Sequence, residues 1–126
     1  MTLARGSIFV LDGDTLARQH AESCLLHLGW CVKAFGDGAD LVQALPLHRP
    51  EAALVDVSSP QLSGHWVAAR IRRALASRRM RVVAYTALHA VDRDALIAQG
   101  FDGVLPKPAQ PRDFARMFVF GARSSH

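Results

Sequence analysis

The chain has 126 residues, a formal net charge of +4 and a sequence pI of about 9.8. This length suits one domain with an adequate core, and no apolar run could span a membrane, so we expect a single cytoplasmic domain over residues 1–126 with its core at about 6–121. The basic balance raises nucleic acid or an acidic protein as a partner. Because basic and aromatic residues are not interleaved as in base-stacking proteins, nucleic acid is the least favoured partner.

Short apolar runs alternate with helical patterns along the chain, which predicts a parallel sheet covered on both faces. Each run is bounded by turn residues, as expected for a buried strand. The five predicted strands are Ile8–Leu11, Trp30–Phe35, Ala52–Val55, Arg81–Tyr85 and Gly103–Leu105.

Five helical patterns follow these strands in turn. The first has a stripe that stops at Gly29, the second ends at Pro46, and the fifth begins at Pro111, a favoured first helical position. The apolar stripe is Leu16, His20, Cys24 and Leu28 in the first helix, Ala39, Leu41, Val42 and Leu45 in the second, and Val67, Ile71 and Leu75 in the third. The fourth helix is predicted over Asp92 to Gln99 and the fifth over Pro111 to Phe120.

Polar side chains stand at the ends of four predicted strands. Asp12 follows the first strand and Asp56 the third, Thr86 follows the fourth, and Lys107 comes just after the fifth. In open α/β sheets the ligand crevice lies beyond the carboxyl ends of the strands. We therefore expect these four side chains to form one site.

The chemistry of the four residues favours phosphoryl transfer. A carboxylate such as Asp56 is a usable nucleophile only if the charge gathering on the transferred oxygens is neutralised. Lys107 can supply that cation, and it is one of two lysines in a chain that otherwise uses arginine. Pro106 and Pro108 fix the backbone around it, so a solvated loop lysine is the less favoured interpretation.

In this order, Asp12, Asp56, Thr86 and Lys107 resemble the receiver domain of two-component response regulators over nearly the whole chain. The resemblance implies an α/β, doubly wound (flavodoxin-like) five-stranded parallel sheet with five helices and strand order 2-1-3-4-5. It implies a signalling module and not an enzyme: Asp56 accepts a phosphoryl group from a histidine kinase or phosphotransfer protein, and Thr86 and Lys107 contact the phosphoryl oxygens.

The partners follow from the same resemblance. Because 126 residues leave no room for an output module, we expect the signal to pass to a protein target in trans, or the chain to be a fragment of a longer protein. A homodimer through the predicted fourth and fifth helices is compatible with the sequence.

The resemblance also implies a Mg2+ ion held by Asp12, Asp56 and the backbone carbonyl of Ser58. The family has two adjacent acidic residues after the first strand, but the second position here is Gly13. Since Mg2+ draws only one or two carboxylates from a protein, the loss of one matters. Three alternatives follow: Asp14 takes the position of the missing carboxylate, water takes it, or Mg2+ binds weakly. For Asp14 itself, a role as helix N-cap is favoured over a role as metal ligand.

Two departures from the family favour a second function, a degenerate receiver that acts as a phosphorylation-independent protein-interaction module. One is Gly13, and the other is Val104, which stands where the family commonly has an aromatic residue. Intact Asp56, Thr86 and Lys107 favour the phosphoacceptor, which is the preferred interpretation.

A basic cluster follows the predicted site. Six arginines lie between Arg70 and Arg81, while no acidic residue occurs from Val57 to Val91. A solvated basic face is the favoured interpretation, and docking of an acidic partner comes next.

Overall fold

The computed structural model describes residues 6–58, 64–74, 80–87 and 93–120. Its described strands form one sheet in the order β2-β1-β3-β4-β5, and every neighbouring pair is parallel. The predicted doubly wound fold is thereby confirmed, including the strand order. The strands are β1 Ser7–Leu11, β2 Cys31–Phe35, β3 Ala52–Asp56, β4 Arg81–Thr86 and β5 Gly103–Pro106.

Helices follow the strands in alternation, as the sequence pattern predicts. The last one continues into a π-helical turn, and two predicted helix residues, Leu75 and Asp92, lie outside the described residues. None of the helices that the structure describes is long and apolar enough to span a membrane. The helices are α1 Thr15–His27, α2 Gly38–His48, α3 Gly64–Ala74, α4 Arg93–Ala98 and α5 Pro111–Ala115, with the π-helical turn at Arg116–Phe120.

The sheet separates two apolar cores. Successive side chains of a strand point to opposite faces, so Ile8 and Val10 of β1 pack on one side while Phe9 and Leu11 pack on the other. Helices α1 and α5 cover the first side, and α2, α3 and α4 cover the second. Burial on both faces explains why Ile8–Leu11 of β1 and Ala52–Val55 of β3 are continuously apolar rather than alternating.

Two helices differ from the sequence prediction in detail. In α1 the buried residues include Ala21 and Leu25, whereas Leu16 is 75% exposed. At 3.6 residues per turn, Leu16 lies on the side of the helix opposite to Leu25. Helix α2 runs past Pro46, so the predicted end was wrong by about half a turn. The chain leaves that helix at Arg49, which takes a left-handed conformation (φ 43°).

The predicted basic cluster divides into structural and exposed members. Arg72 donates to the carbonyls of Met80 (2.7 Å) and Gly100, and Arg81 donates to the carbonyl of Met117 (3.1 Å). Arg72 therefore ties α3 to the residues before β4 and β5, and Arg81 ties β4 to the π-helical turn. The remaining arginines are Arg70 and Arg73, which are exposed, and Arg78 and Arg79, which lie outside the described residues.

Candidate functional site

The four polar residues predicted at strand ends converge at the carboxyl edge of the sheet. Asp56 and Thr86 are the last residues of β3 and β4, while Asp12 and Lys107 directly follow β1 and β5. Within the described part of the chain, Asp12, Asp56 and Thr86 are the buried charged or polar residues. Because burying such groups is costly unless they are paired, their concentration at one place marks a site.

Lys107 joins the two carboxylates. Its ammonium lies 2.7 Å from Asp12 Oδ2 and 3.4 Å from Asp56 Oδ2, and its side chain is only 14% exposed. The backbone amide of Lys107 donates to the carbonyl of Thr86 at 2.7 Å, which ties the loop after β5 to the end of β4. One cation thus spans two buried carboxylates and leaves their charge incompletely neutralised.

Ser58 fixes the orientation of the Asp56 carboxylate. Both the backbone amide of Ser58 (2.8 Å) and its hydroxyl donate to Asp56 Oδ1, which leaves Oδ2 facing Lys107. The sequence analysis assigned only the Ser58 carbonyl and missed these two donors. The signal was present, since a serine two residues after an aspartate commonly closes a turn of this kind.

Asp12 is the most deeply buried charged group of the site. Burial raises the pKa of its carboxyl, and the negative charge of Asp56 adds to this effect, while Lys107 and the Asp14 amide (2.9 Å to Oδ1) oppose it. Oδ2 lacks a well-directed hydrogen bond within the described residues, although the Lys107 ammonium lies beside it. The oxygen is therefore available to a further cation. Arg18, which the sequence analysis did not place, donates to the Asp12 carbonyl at 2.8 Å.

Asp14 caps helix α1. Its Oδ2 accepts a hydrogen bond from the Ala17 amide at 2.8 Å, which confirms the predicted N-cap. Gly13 contributes no side chain, and among the residues that the structure describes no three His, Cys, Asp or Glu side chains converge as a metal centre. From the described part of the chain, the site offers a cation two carboxylates, those of Asp12 and Asp56.

Tyr85 is a neighbour of the site that the sequence analysis treated only as a strand residue. It packs in the core beneath α1 and α5. Its ring nevertheless lies 4.8 Å from the Lys107 ammonium. Burial, reinforced by the charge of Asp12, raises the pKa of Tyr85 to about 12. The contact joins β4 to the loop after β5, so no local pattern in the sequence signals it.

Comparison with known proteins bears on the fold and the family together. A family model described as the response regulator receiver domain matches residues 8–118. The response regulator MprA of Mycobacterium sp. (strain KMS) is 31% identical over 120 residues, which cover 94% of this chain and 51% of that protein. The chain therefore spans about half the length of this relative.

Solved structures show the same architecture. The Vibrio cholerae chemotaxis protein CheY4 superposes with a TM-score of 0.82 at 20% identity, covering 90% of this chain and 96% of that one. The receiver domain of the Pseudomonas aeruginosa sensor histidine kinase PA1611 holds a magnesium ion in its active-site cleft. It superposes with a TM-score of 0.78 at 26% identity, covering 91% of this chain and 95% of that one. With the family match across most of its length, this chain belongs to the response regulator receiver domain family.

Proposed function

We propose that this chain is a working phosphoacceptor. Asp56 takes a phosphoryl group from a phosphohistidine of a histidine kinase or phosphotransfer protein, and the signal passes to a partner protein in trans. The observation that carries the proposal is the Lys107 ammonium within 3.4 Å of Asp56 and 2.7 Å of Asp12. It places a cation beside the carboxylate that acts as nucleophile, where charge develops during transfer.

The hydrogen bonds of Asp56 identify the attacking oxygen. Oδ1 already accepts two hydrogen bonds from Ser58, whereas among the described residues Oδ2 faces only the Lys107 ammonium. Oδ2 attacks the phosphorus, and an O–P bond forms as the P–N bond of the phosphohistidine breaks. The electron pair of that bond goes to the imidazole, which leaves neutral when its other nitrogen carries a proton.

Lys107 and Thr86 stabilise the transferring group. The ammonium is a compact point charge that neutralises a phosphoryl oxygen without a demanding geometry. The Thr86 hydroxyl, at the end of the neighbouring strand, donates to a second oxygen. Because the Lys107 amide is bonded to the Thr86 carbonyl, the two groups keep a fixed spacing.

The residues present fit a Mg2+ ion, since Mg2+ commonly takes one or two carboxylates and completes its shell with water. Asp12 and Asp56 would hold it, with the Ser58 carbonyl as a third ligand; Asp14 is assigned to its helix cap. When bound, the ion neutralises charge on the phosphoryl oxygens. The poorly directed contact at Asp12 Oδ2 supports this assignment, and Gly13 makes the affinity low.

A second candidate function is a degenerate receiver that binds its partner without phosphorylation. The observation that favours it is the lack of a third acidic side chain: Gly13 stands where the family has a carboxylate, and Asp14 is committed to α1. In this case the buried Asp12–Lys107–Asp56 arrangement is purely structural.

Reaction with acetyl phosphate, with and without Mg2+, separates the two functions. We expect intact mass to show one phosphoryl adduct on the wild type and none on Asp56→Asn. Asp37→Asn is the matched control, because Asp37 is an exposed N-cap whose replacement keeps a capping oxygen. An adduct on Asp56→Asn at the wild-type rate would place the acceptor elsewhere. A folded wild type with no adduct at any Mg2+ concentration would establish the degenerate module.

A further inference from the structure

We propose that Tyr85 is a positioning residue for Lys107: the face of its ring holds the ammonium within reach of Asp12 and Asp56. The consequence for phosphoryl transfer rests on the proposed function, but the contact itself does not. The ammonium lies 4.8 Å from the ring centroid, inside the range in which a cation is attracted to an aromatic face. Tyr85 is buried, so water competes little for that attraction.

The place of Tyr85 in the sheet puts it between the nucleophile and the cation. In the β3–β4 pairing Tyr85 stands opposite Asp56, and in the β4–β5 pairing it stands opposite Leu105, two residues before Lys107. The lysine side chain comes from the loop after β5 and reaches Asp56 over β4. On this path the Lys107 ammonium passes over Tyr85 of β4.

Three groups surround the Lys107 ammonium. Lysine has a flexible four-carbon stem and three N–H donors, so one carboxylate alone does not fix its position. Here the Asp12 and Asp56 carboxylates lie 2.7 Å and 3.4 Å from the ammonium, and the Tyr85 ring covers another side of it. Without the ring, that side is open to water, and the ammonium gains other positions.

Tyr85 is itself held rigidly. The backbone of Ala109 lies beside its hydroxyl, and its ring meets the ring of Phe114 edge-on with centroids 6.0 Å apart. The Ala109 carbonyl is in turn bonded to His20 Nε2 at 2.7 Å. These contacts anchor both the ring and the loop that carries Lys107, which is what a positioning role requires.

The alternative is that Tyr85 only fills the core. The two lysines of the chain allow a direct test. Lys33 is exposed and serves as an internal reference for Lys107. Brief acetylation with acetic anhydride, read by peptide mass spectrometry, gives the ratio of Lys107 to Lys33 labelling. We expect Tyr85→Leu, which keeps bulk but removes the ring, to raise this ratio on the order of tenfold. Tyr85→Phe keeps the ring and should stay within about twofold of the wild type.

Phe118→Leu is the matched control, because it removes another buried ring of the same core that packs on Trp30 instead. It should lower the unfolding temperature and leave the labelling ratio unchanged. If Tyr85→Leu does not fold, Tyr85→Met fills the space in its place. An unchanged ratio in the folded ring-less variant overturns the proposal. Equal increases of the labelling ratio in Tyr85→Phe and Tyr85→Leu also overturn the proposal, since the hydroxyl and not the ring would then keep Lys107 in place.

A double-mutant cycle on the rate of adduct formation tests the consequence for transfer. We expect Tyr85→Leu to slow the reaction with acetyl phosphate about tenfold in the wild-type background and to change nothing in a Lys107→Met background. Equal slowing in both backgrounds means that Tyr85 does not act through Lys107. Because labelling needs no phosphoryl group, a chain that never forms the adduct would refute the proposed function and still leave the positioning result.

Discussion

Two ion pairs in this protein have the same length and opposite surroundings. Arg72 and Asp102 meet at 2.7 Å with side chains 36% and 27% exposed, and Lys107 and Asp12 meet at 2.7 Å with side chains 14% and 0% exposed. The first pair is embedded in backbone hydrogen bonds, since Asp102 Oδ2 also accepts from the Val82 amide at 2.7 Å. The second has a further carboxylate, Asp56, within 3.4 Å of its cation.

The difference lies in charge balance and not in distance. Around Arg72 one cation meets one anion and two carbonyls, so the cluster is a closed clamp. Around Lys107 one cation meets two buried carboxylates, and burial raises the pKa of Asp12 in spite of that cation. Incomplete neutralisation in a buried place is costly, and such sites are where function is commonly found.

Breaking the closed clamp around Arg72 should have the largest effect on stability and no effect on phosphoryl transfer. Arg72→Ala removes the donor to Met80, Gly100 and Asp102, and we expect the free energy of unfolding to fall by about 2 kcal/mol. Urea unfolding measures this change. Arg73→Ala, an exposed neighbour, should change it by less than about 0.5 kcal/mol. Loss of the phosphoryl adduct in a fully folded Arg72→Ala protein would show that the two clusters are coupled.

The next largest effect should come from adding a carboxylate to the site, which should change its affinity for Mg2+. Gly13→Asp restores the acidic pair, and we expect Mg2+ to bind on the order of tenfold more tightly, because another carboxylate faces the ion. The glycines with positive φ in the described residues are Gly6, Gly29 and Gly100, so position 13 accepts a side chain. Calorimetric titration measures the affinity, with Gly13→Ala as control. Equal affinities for Asp and Ala at this position would show that the missing carboxylate is not what limits Mg2+ binding.

A smaller effect should come from Asp14, whose two proposed roles predict different outcomes. Asp14→Ala removes the N-cap of α1 and should lower the free energy of unfolding by about 1 kcal/mol. Asp14→Ser retains a capping oxygen and should recover most of this loss. Mg2+ affinity should be the same in all three proteins. A drop in affinity that both variants share would make Asp14 a metal ligand after all.

Much of this site could be predicted from the sequence because its signals are local. An apolar run followed by a polar residue places Asp12, Asp56 and Thr86 at strand ends, and the parallel fold brings those ends together. The confirmed cap at Asp14 is equally local. Such features depend on a few consecutive residues and the period of one element.

What escaped prediction depends on where separate elements meet. The ring of Tyr85 approaches Lys107 only because the loop after β5 bends back over β4. Arg18 reaches the Asp12 carbonyl from the second turn of α1.

The two ion pairs should also differ in how the stability of their variants depends on pH. Asp12→Asn removes a buried charge but also loses its attraction to Lys107, so two opposing effects partly cancel and the net change is the smallest. The raised pKa of Asp12 means that burial outweighs attraction. In metal-free buffer at pH 7 we therefore expect the variant to unfold at a higher urea concentration than the wild type.

The sign of the pH dependence follows from the same shift. A carboxyl whose pKa is higher in the folded protein than its unfolded value of 3.8 stabilises the fold below pH 3.8, and this contribution is lost as pH rises through the folded pKa. The advantage of Asp12→Asn should thus grow with pH above 3.8 and vanish below it. Asp102→Asn should instead destabilise at pH 7, because it breaks the closed clamp. If Asp12→Asn is also destabilising there, Lys107 neutralises Asp12 fully, and the contrast between the two ion pairs is wrong.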